Sequence, residues 1–403
     1  MADVRPFICC RPTQNLASEV AALPYDVFSR KEAAQEIANH PHSFLRIDKS
    51  CATLPSEVNE YDPQVYQKAA QLMAEDLKNG IFEDEPQPHY FLYRLNQDHH
   101  SQTGIVCCIA LQDLKNGVLK RHENTRELKL KDRIQHIQAL NAQTGPVFVT
   151  YPAHPQLDTT VKQACAQTQP LYDFTTPDNI THTIWRIDDK NAEETISNSF
   201  KTMDALYIAD GHHRAAAAEQ VSIQGGEASY LLMIAFPSNQ VRILDYNRVV
   251  FDTNGLQPEA LLERISQSFG VNKVGDTPRK PQQKGEFALY LDGQWYQLIV
   301  HEELRPSDAV EGLDVSLLHN LILEPILGID NPRSNKRIAY VGGSRGLSEL
   351  KTQADARGAA ISFALYPCCL EELFAVADEG RLMPPKSTWF DPKPRSGLFI
   401  HRL

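Results

Sequence analysis

The chain has 403 residues, 42% of them hydrophobic and 23% charged, with a formal net charge of -11. These values exclude a disordered polymer, and the acidic balance argues against a general nucleic-acid coat and for a soluble protein whose ligand, if anionic, is held locally. The length predicts two domains, or one domain with a large elaboration.

The opening Met1-Ala2-Asp3-Val4-Arg5-Pro6-Phe7 lacks the apolar core of a signal peptide, and the longest apolar runs are strand-sized, so a cytoplasmic protein without a membrane span is expected. Residues 1–50 read as irregular. Ser29 and Glu32 have capping-box spacing and predict a helix from about 30 to 38, ended by Asn39-His40-Pro41. Asp26, just ahead of that helix, is a candidate site carboxylate, with turn capping as its alternative role. Phe44-Leu45-Arg46-Ile47-Asp48 reads as a short strand. Asp62-Pro63 opens a second helix, with Val65, Ala69, Leu72 and Leu77 on its inner face. Segments 90–95 and 103–111 make a hairpin whose polar connection carries His99 and His100 as exposed loop residues. Of the eight cysteines, six form adjacent pairs, Cys9-Cys10, Cys107-Cys108 and Cys368-Cys369. No Cys-x-x-Cys spacing exists, so buried free thiols are expected rather than zinc ligands.

The densely charged run from Lys120 predicts a helix over about 126–141, read either as a salt-bridged solvent face or as site material, and His122, Glu123 and Thr125 stay as candidates. Strands are predicted at 147–151 and 181–187, helices near 158–168 and 192–203, and an interior strand at 230–236. Beyond 240 the chain looks richer in β structure. A helix is predicted at 258–269, a polar loop at 275–285, and a hairpin turning on Asp292-Gly293. Asp314 or Ser316 could cap an amphipathic helix to 324, and Gly342-Gly343 follows a strand as a weak second anion-site candidate. A strand is predicted from Ala359 to Leu365 and a helix from Leu370 to Asp378. In the irregular tail Lys386, Ser387 and Thr388 are candidates to line a site, against a packed C-terminal cap. The expected organisation is an α/β domain over 1–240 and an α+β domain over 241–403 whose tail packs back toward the first.

The stretch around which the rest is organised is Ala209-Asp210-Gly211-His212-His213-Arg214. An apolar strand-like run, 205–208, precedes it and an Ala-rich helix former, 215–220, follows. Free amides at a helix start attract anions, and Arg214 suits bidentate bonds to phosphate. One or both of His212 and His213 would donate to phosphoryl oxygens. Asp210 would hold Mg²⁺, receive a substrate hydroxyl proton or cap the helix. No Walker-type phosphate loop, dinucleotide fingerprint, nucleophile elbow or His-Glu-x-x-His is present.

The segments Arg5-Pro6-Phe7, Leu23-Pro24-Tyr25-Asp26-Val27, His122-Glu123-Asn124-Thr125, Lys131-Asp132-Arg133, the central motif, Asp314-Val315-Ser316 and the tail from Met383 through Gly397 together resemble the conserved family known as domain of unknown function 1015. Locally, Asp210 to Arg214 is similar to the Gly-x-His/Arg-Arg box shared by ParB-like proteins, sulfiredoxins and free-serine kinases. That resemblance implies a mixed-sheet ParB/sulfiredoxin-like core with large elaborations. It also implies that Gly211, His212, His213 and Arg214 hold nucleotide phosphates with Asp210 nearby. ATP or ADP, with CTP as an alternative, and Mg²⁺ are the expected cofactors, and Asp26, Glu123 and Asp210 the expected catalytic carboxylates. The expected function is phosphoryl transfer to a small hydroxyl metabolite such as free L-serine. The alternatives are a non-catalytic nucleotide-binding regulator of ParB-like type and a phosphohydrolase. No membrane or nucleic-acid partner is expected, and an oligomer is compatible with the sequence.

Overall fold

Strands covered on both faces read as near-continuous apolar runs, and Val147–Tyr151, apolar but for Thr150, and Tyr230–Pro237 fit that pattern, with all but Tyr230 buried. They lie side by side, parallel, at the centre of a nine-stranded sheet. The computed structural model describes residues 1–357 and 361–403; the predicted start of a strand at Ala359 lies outside the described residues. The chain divides into two units: Met1–Arg121, Thr125–Val241 and Pro392–Leu403 form the first, and His122–Asn124 with Arg242–Asp391 the second.

In the first unit the sheet runs in the order Leu119–Lys120, Leu206–Asp210, Val147–Tyr151, Tyr230–Pro237, His100–Ala110, Phe91–Gln97, Thr181–Arg186, Tyr172–Thr175, with Val4–Arg5 added beside His100–Ala110. Two pairings are parallel and the others antiparallel, which makes a mixed sheet in an α+β fold. Helices Pro155–Gln167 and Lys190–Lys201 pack together, as do Glu127–Leu140 and His212–Val221. A second, four-stranded sheet in the order Phe82–Asp84, Cys9–Pro12, Ile400–Arg402, Ala142–Gln143 fastens the tail into this unit. Ser396 and Ala22 exchange backbone hydrogen bonds at 2.8 and 3.2 Å. The buried Arg395 guanidinium donates to Thr176 Oγ1 at 3.1 Å and to the Asp178 carboxylate at 2.7 Å.

Several expectations need correction. Leu45–Asp48 is a helical turn, not a strand, with Lys49 N donating to Leu45 O at 2.8 Å. Its polar partners are side chains and not a neighbouring strand: Arg46 pairs with Asp76, and Asp48 with Arg133. His99 is exposed at the hairpin turn beside Asp98 at φ 52°, but His100 belongs to the strand His100–Ala110 and is half-buried. All eight cysteines are free, yet Cys369 is exposed and Cys165 and Cys368 only half-buried. Among the described residues no group of three His, Cys, Asp or Glu side chains is placed to hold a metal ion, and no helix is long and apolar enough to cross a membrane.

The second unit is an antiparallel six-stranded sheet in the order Phe269–Gly275, Gln294–Val300, Glu286–Leu291, Ile361–Leu365, Tyr246–Val250, Ile338–Gly342. Asp314 and Ser316 do not cap the helix Asp314–Leu318: the Asp314 carboxylate accepts from Gly285 N at 2.9 Å, and Ser316 Oγ donates to Val310 O at 2.6 Å. A Cβ at Gly342 would stand 2.8 Å from the Trp389 ring, and one at Gly343 2.6 Å from Asp245 Oδ1. Close packing thus accounts for both glycines.

The charged helix Glu127–Leu140 has two characters. Lys131 and Glu127 pair at its surface at 2.6 Å, while Asp132, Arg133 and His136 are buried. Arg133 donates to Asp132 Oδ2 at 2.9 Å and Asp48 Oδ1 at 3.2 Å, and its guanidinium carbon stacks 3.9 Å above the Tyr25 ring. The His136 ring lies 3.2 Å from Ile47 O, and burial first, the Arg133 charge second, push it down to about 4. The unfolded chain therefore binds this proton more tightly. The stability contributed by neutral His136 is complete above pH 6.5 and is lost as pH falls toward about 4. Unfolding titrations in urea should show a slope in that window that falls by about one proton in His136→Gln.

Candidate functional site

The strand Leu206–Asp210 pairs antiparallel with Val147–Tyr151, Tyr207 opposite Thr150 and Ile208 opposite Val149, but the next pair is Asp210 with Phe148. Ala209 is therefore an extra residue. A bulge of this kind bends the strand and re-aims the side chain that follows it. Gly211 comes next at φ 101°, and a Cβ there would lie 2.9 Å from Arg214 Nη2. Only glycine satisfies both the left-handed backbone and the guanidinium folded over it. The chain then enters the helix His212–Val221, whose Ala215, Ala216, Ala217 and Ala218 are all buried and whose N-terminus no side chain caps.

Asp210 is held from two sides. Lys393 Nζ donates to its Oδ1 at 2.6 Å and Arg214 Nη2 to its Oδ2 at 2.8 Å; Arg214 Nη1 also donates to Pro146 O at 2.6 Å. Burial by itself would raise the Asp210 carboxyl, but Lys393 first and Arg214 second hold it well below the usual carboxylate range. Burial likewise opposes the Lys393 charge, and Asp210 and then Asp26 keep that ammonium above its ordinary value. Asp26 sits in the single turn Tyr25–Val27, exposed, and its carboxylate makes no hydrogen bond or ion pair among the described residues. His213 Nε2 accepts the Arg126 N–H at 2.9 Å, at the start of the helix Glu127–Leu140, so in its neutral form His213 carries its proton on Nδ1. His212 is buried beside it and its charge acts on Asp210.

The structure thus gathers Asp26, Asp210, Gly211, His212, His213 and Arg214 in the first unit. Glu123, Lys386, Ser387 and Thr388 belong to the second unit, where the last three have local partners. Lys386, at φ 61°, offers its carbonyl to Arg248 Nη2 at 2.9 Å, Ser387 Oγ donates to Pro384 O at 2.7 Å, and Thr388 Oγ1 lies 3.5 Å from His122 Nε2. Asp210 does not fit the expected Mg²⁺ role, because each of its oxygens already meets a cation and two cations repel a third. Lys393 is the residue that sequence reasoning missed. Its signal is the run Pro392-Lys393-Pro394, in which the second proline restricts Lys393 to extended backbone. Chemically, the site offers a helix start without a side-chain cap, flanked by a guanidinium and an ammonium, with the Asp26 carboxylate within electrostatic reach of the ammonium.

A family model described as "Protein of unknown function (DUF1015)" matches residues 4–316. No curated protein matches the chain. Among solved structures the chain is similar to a free serine kinase mutant in complex with ADP, at 15% identity over 71% of this chain and 87% of that chain with a TM-score of 0.36. It is also similar to C-terminally truncated SbnI from Staphylococcus aureus, at 12% identity over 73% and 87% with a TM-score of 0.40. A conserved hypothetical protein from Pyrococcus furiosus has 15% identity over 72% and 93%, with a TM-score of 0.33.

Gly211→Ala should lower the unfolding free energy by about 1–3 kcal/mol, through backbone strain and displacement of the Arg214 guanidinium. A urea midpoint measurement checks this, and an unchanged midpoint would contradict the described turn.

Proposed function

The chain belongs to the DUF1015 family of proteins of unknown function, and from that premise we propose that it is a nucleotide-dependent phosphotransferase acting on a small hydroxyl metabolite, free L-serine being one example. The observation that carries this reading is the Lys393–Asp210–Arg214 bridge at an uncapped helix start. The helix amides and the Arg214 fork bind phosphate oxygens, and Arg214 and Lys393 offset the charge that grows on the leaving oxygens. Asp210 positions the two cations. A carboxylate held so far down is a poor proton acceptor at neutral pH. Asp26, exposed and unpaired within electrostatic reach of Lys393, is the base.

In the transfer, the acceptor hydroxyl oxygen bonds to the terminal phosphorus of the nucleotide. The bond from that phosphorus to the nucleotide's bridging oxygen breaks and its electron pair stays on the leaving oxygen. The hydroxyl proton passes to the Asp26 carboxylate. Positioning and charge neutralisation supply the acceleration. The engagement of both Asp210 oxygens favours a second reading, a nucleotide-binding regulator without turnover.

Calorimetric titration with ATP, ADP and CTP in the presence of Mg²⁺, followed by incubation of any binder with free serine, tests both. Arg214→Ala and Lys393→Met should each weaken nucleotide binding by about tenfold or more. Asp26→Asn should keep binding and lose about 10²-fold or more in turnover. Binding without product under every acceptor would favour the regulator. Phosphate release that ignores the acceptor would favour a phosphohydrolase. Absence of nucleotide binding would remove the proposal.

A further inference from the structure

Asp26 sits on a turn that does not hold itself. Tyr25–Val27 is a single 3₁₀ turn, closed by Val27 N donating to Pro24 O at 3.2 Å. A lone turn orders several residues for one hydrogen bond and is unfavourable by itself. An exposed carboxylate on such a turn would wander, whereas a base must stay within hydrogen-bond reach of the proton it takes. The stiffness comes from elsewhere in the first unit.

Lys49 holds the backbone of the turn. Its ammonium donates to Phe28 O at 2.7 Å and to Tyr25 O at 3.4 Å, carbonyls on either side of Asp26 in the chain. Lys49 is half-buried and among the described residues pairs with no carboxylate, so its hydrogen bonds serve this turn alone. Arg133 holds the neighbouring side chain. Its guanidinium carbon lies 3.9 Å from the centroid of the buried Tyr25 ring, and Asp132 and Asp48 fix it at 2.9 and 3.2 Å. The Lys129 ammonium stands 5.7 Å from the same centroid. The Tyr25 hydroxyl makes no hydrogen bond among the described residues, so the ring carries the contact. Asp48 and Lys49 are consecutive, and the helical turn they leave is tied by Phe44 N to Val20 O at 2.9 Å and by Arg46 to Asp76. Upstream of Asp26, Ala22 exchanges backbone hydrogen bonds with Ser396, shortly after Lys393, and the Asp26 charge acts on that ammonium.

We infer that Lys49 and Arg133 are positioning residues, which grip the Tyr25–Val27 turn by its backbone and by the Tyr25 ring and so hold the Asp26 carboxylate where it takes the acceptor's proton. Naming Asp26 the base rests on the phosphotransferase reading. Both residues act through the turn. A misplacement of about 1 Å costs a positioned group about 10²-fold in rate, so a loosened turn slows transfer and leaves nucleotide affinity in place.

Steady-state kinetics of the full chain, with ATP or ADP, Mg²⁺ and L-serine, L-homoserine or glycerol as acceptor, test this, and urea midpoints confirm that each variant is folded. Lys49→Met should lower kcat by about tenfold or more with the nucleotide KM within about twofold, and Lys49→Arg, which keeps the donors, should recover most of the loss. Tyr25→Leu reads the Arg133 contact without leaving Asp48 and Asp132 unpaired. It should lower kcat similarly, and Tyr25→Phe, which keeps the ring, should recover most of that. In an Asp26→Asn background Lys49→Met and Tyr25→Leu should cost nothing further, because the group they position is gone. Wild-type kcat in Lys49→Met and Tyr25→Leu, a change in KM alone, or equal losses with and without Asp26 would overturn the positioning role and leave Asp26 as the base. Wild-type turnover in Asp26→Asn would remove the base and this inference with it. Transfer to none of the acceptors, despite nucleotide binding, would end the phosphotransferase reading and the inference together.

Discussion

A carboxylate clamped between two cations is the constraint on which the first unit depends. Asp210 sits at the end of a strand next to the sheet's edge, and its partly buried charge is offset there by Arg214 and Lys393, which meet one oxygen each. Arg214 comes from the same turn. Lys393 comes from 183 residues further along the chain. The anchoring of the tail follows from that distance: Ile400–Arg402 is stitched into a sheet, Ser396 is paired with Ala22, and Arg395 is tied to Thr176 and Asp178. Each of these contacts fixes backbone close to Lys393, so the ammonium reaches Asp210 without a large loss of side-chain freedom at the moment of use.

The histidines of the central motif divide their work differently from a simple pair of phosphate donors. His213 spends Nε2 on the amide at the start of the neighbouring helix, and so couples the Asp210 turn to the helix that carries Lys129 and Arg133. Arg133 in turn is fixed by two aspartates and a tyrosine ring. The Asp210 turn therefore leans on a helix that is itself held stiffly.

Local chemistry was the readable part of this sequence. Ser29 with Glu32 marked a helix start, and both capping-box bonds are present. Asp62-Pro63 marked another, and the apolar run, Asp-Gly turn and alanines correctly outlined strand, turn and helix around residue 210. Asp26 was legible as a carboxylate beside a helix start. What escaped was set by distant partners. Nothing in Ala209 itself announces a bulge, because the extra residue exists only relative to the register of Val147–Tyr151. The run Phe44 to Asp48 alternates like a strand but folds as a turn because Arg133 and Asp76 claim its charged side chains. Lys386, Ser387 and Thr388 are chemically suited to a site, yet their atoms are occupied locally, whereas Lys393 looked like one more residue of a proline-rich loop.

The placement of Lys393 after the second unit also sets an order of events during synthesis. The stretch Arg242–Asp391 separates two parts of the first unit in the sequence. At about 5–20 residues per second, a ribosome adds Lys393 roughly 10–40 s after Asp210. For that interval the nascent Asp210 has only Arg214 of its two ionic partners, while the six-stranded sheet of the intervening unit is being synthesised. The clamp on Asp210 is therefore completed only after translation has passed Asp391, and a chain interrupted before Lys393 carries the motif but not the clamp.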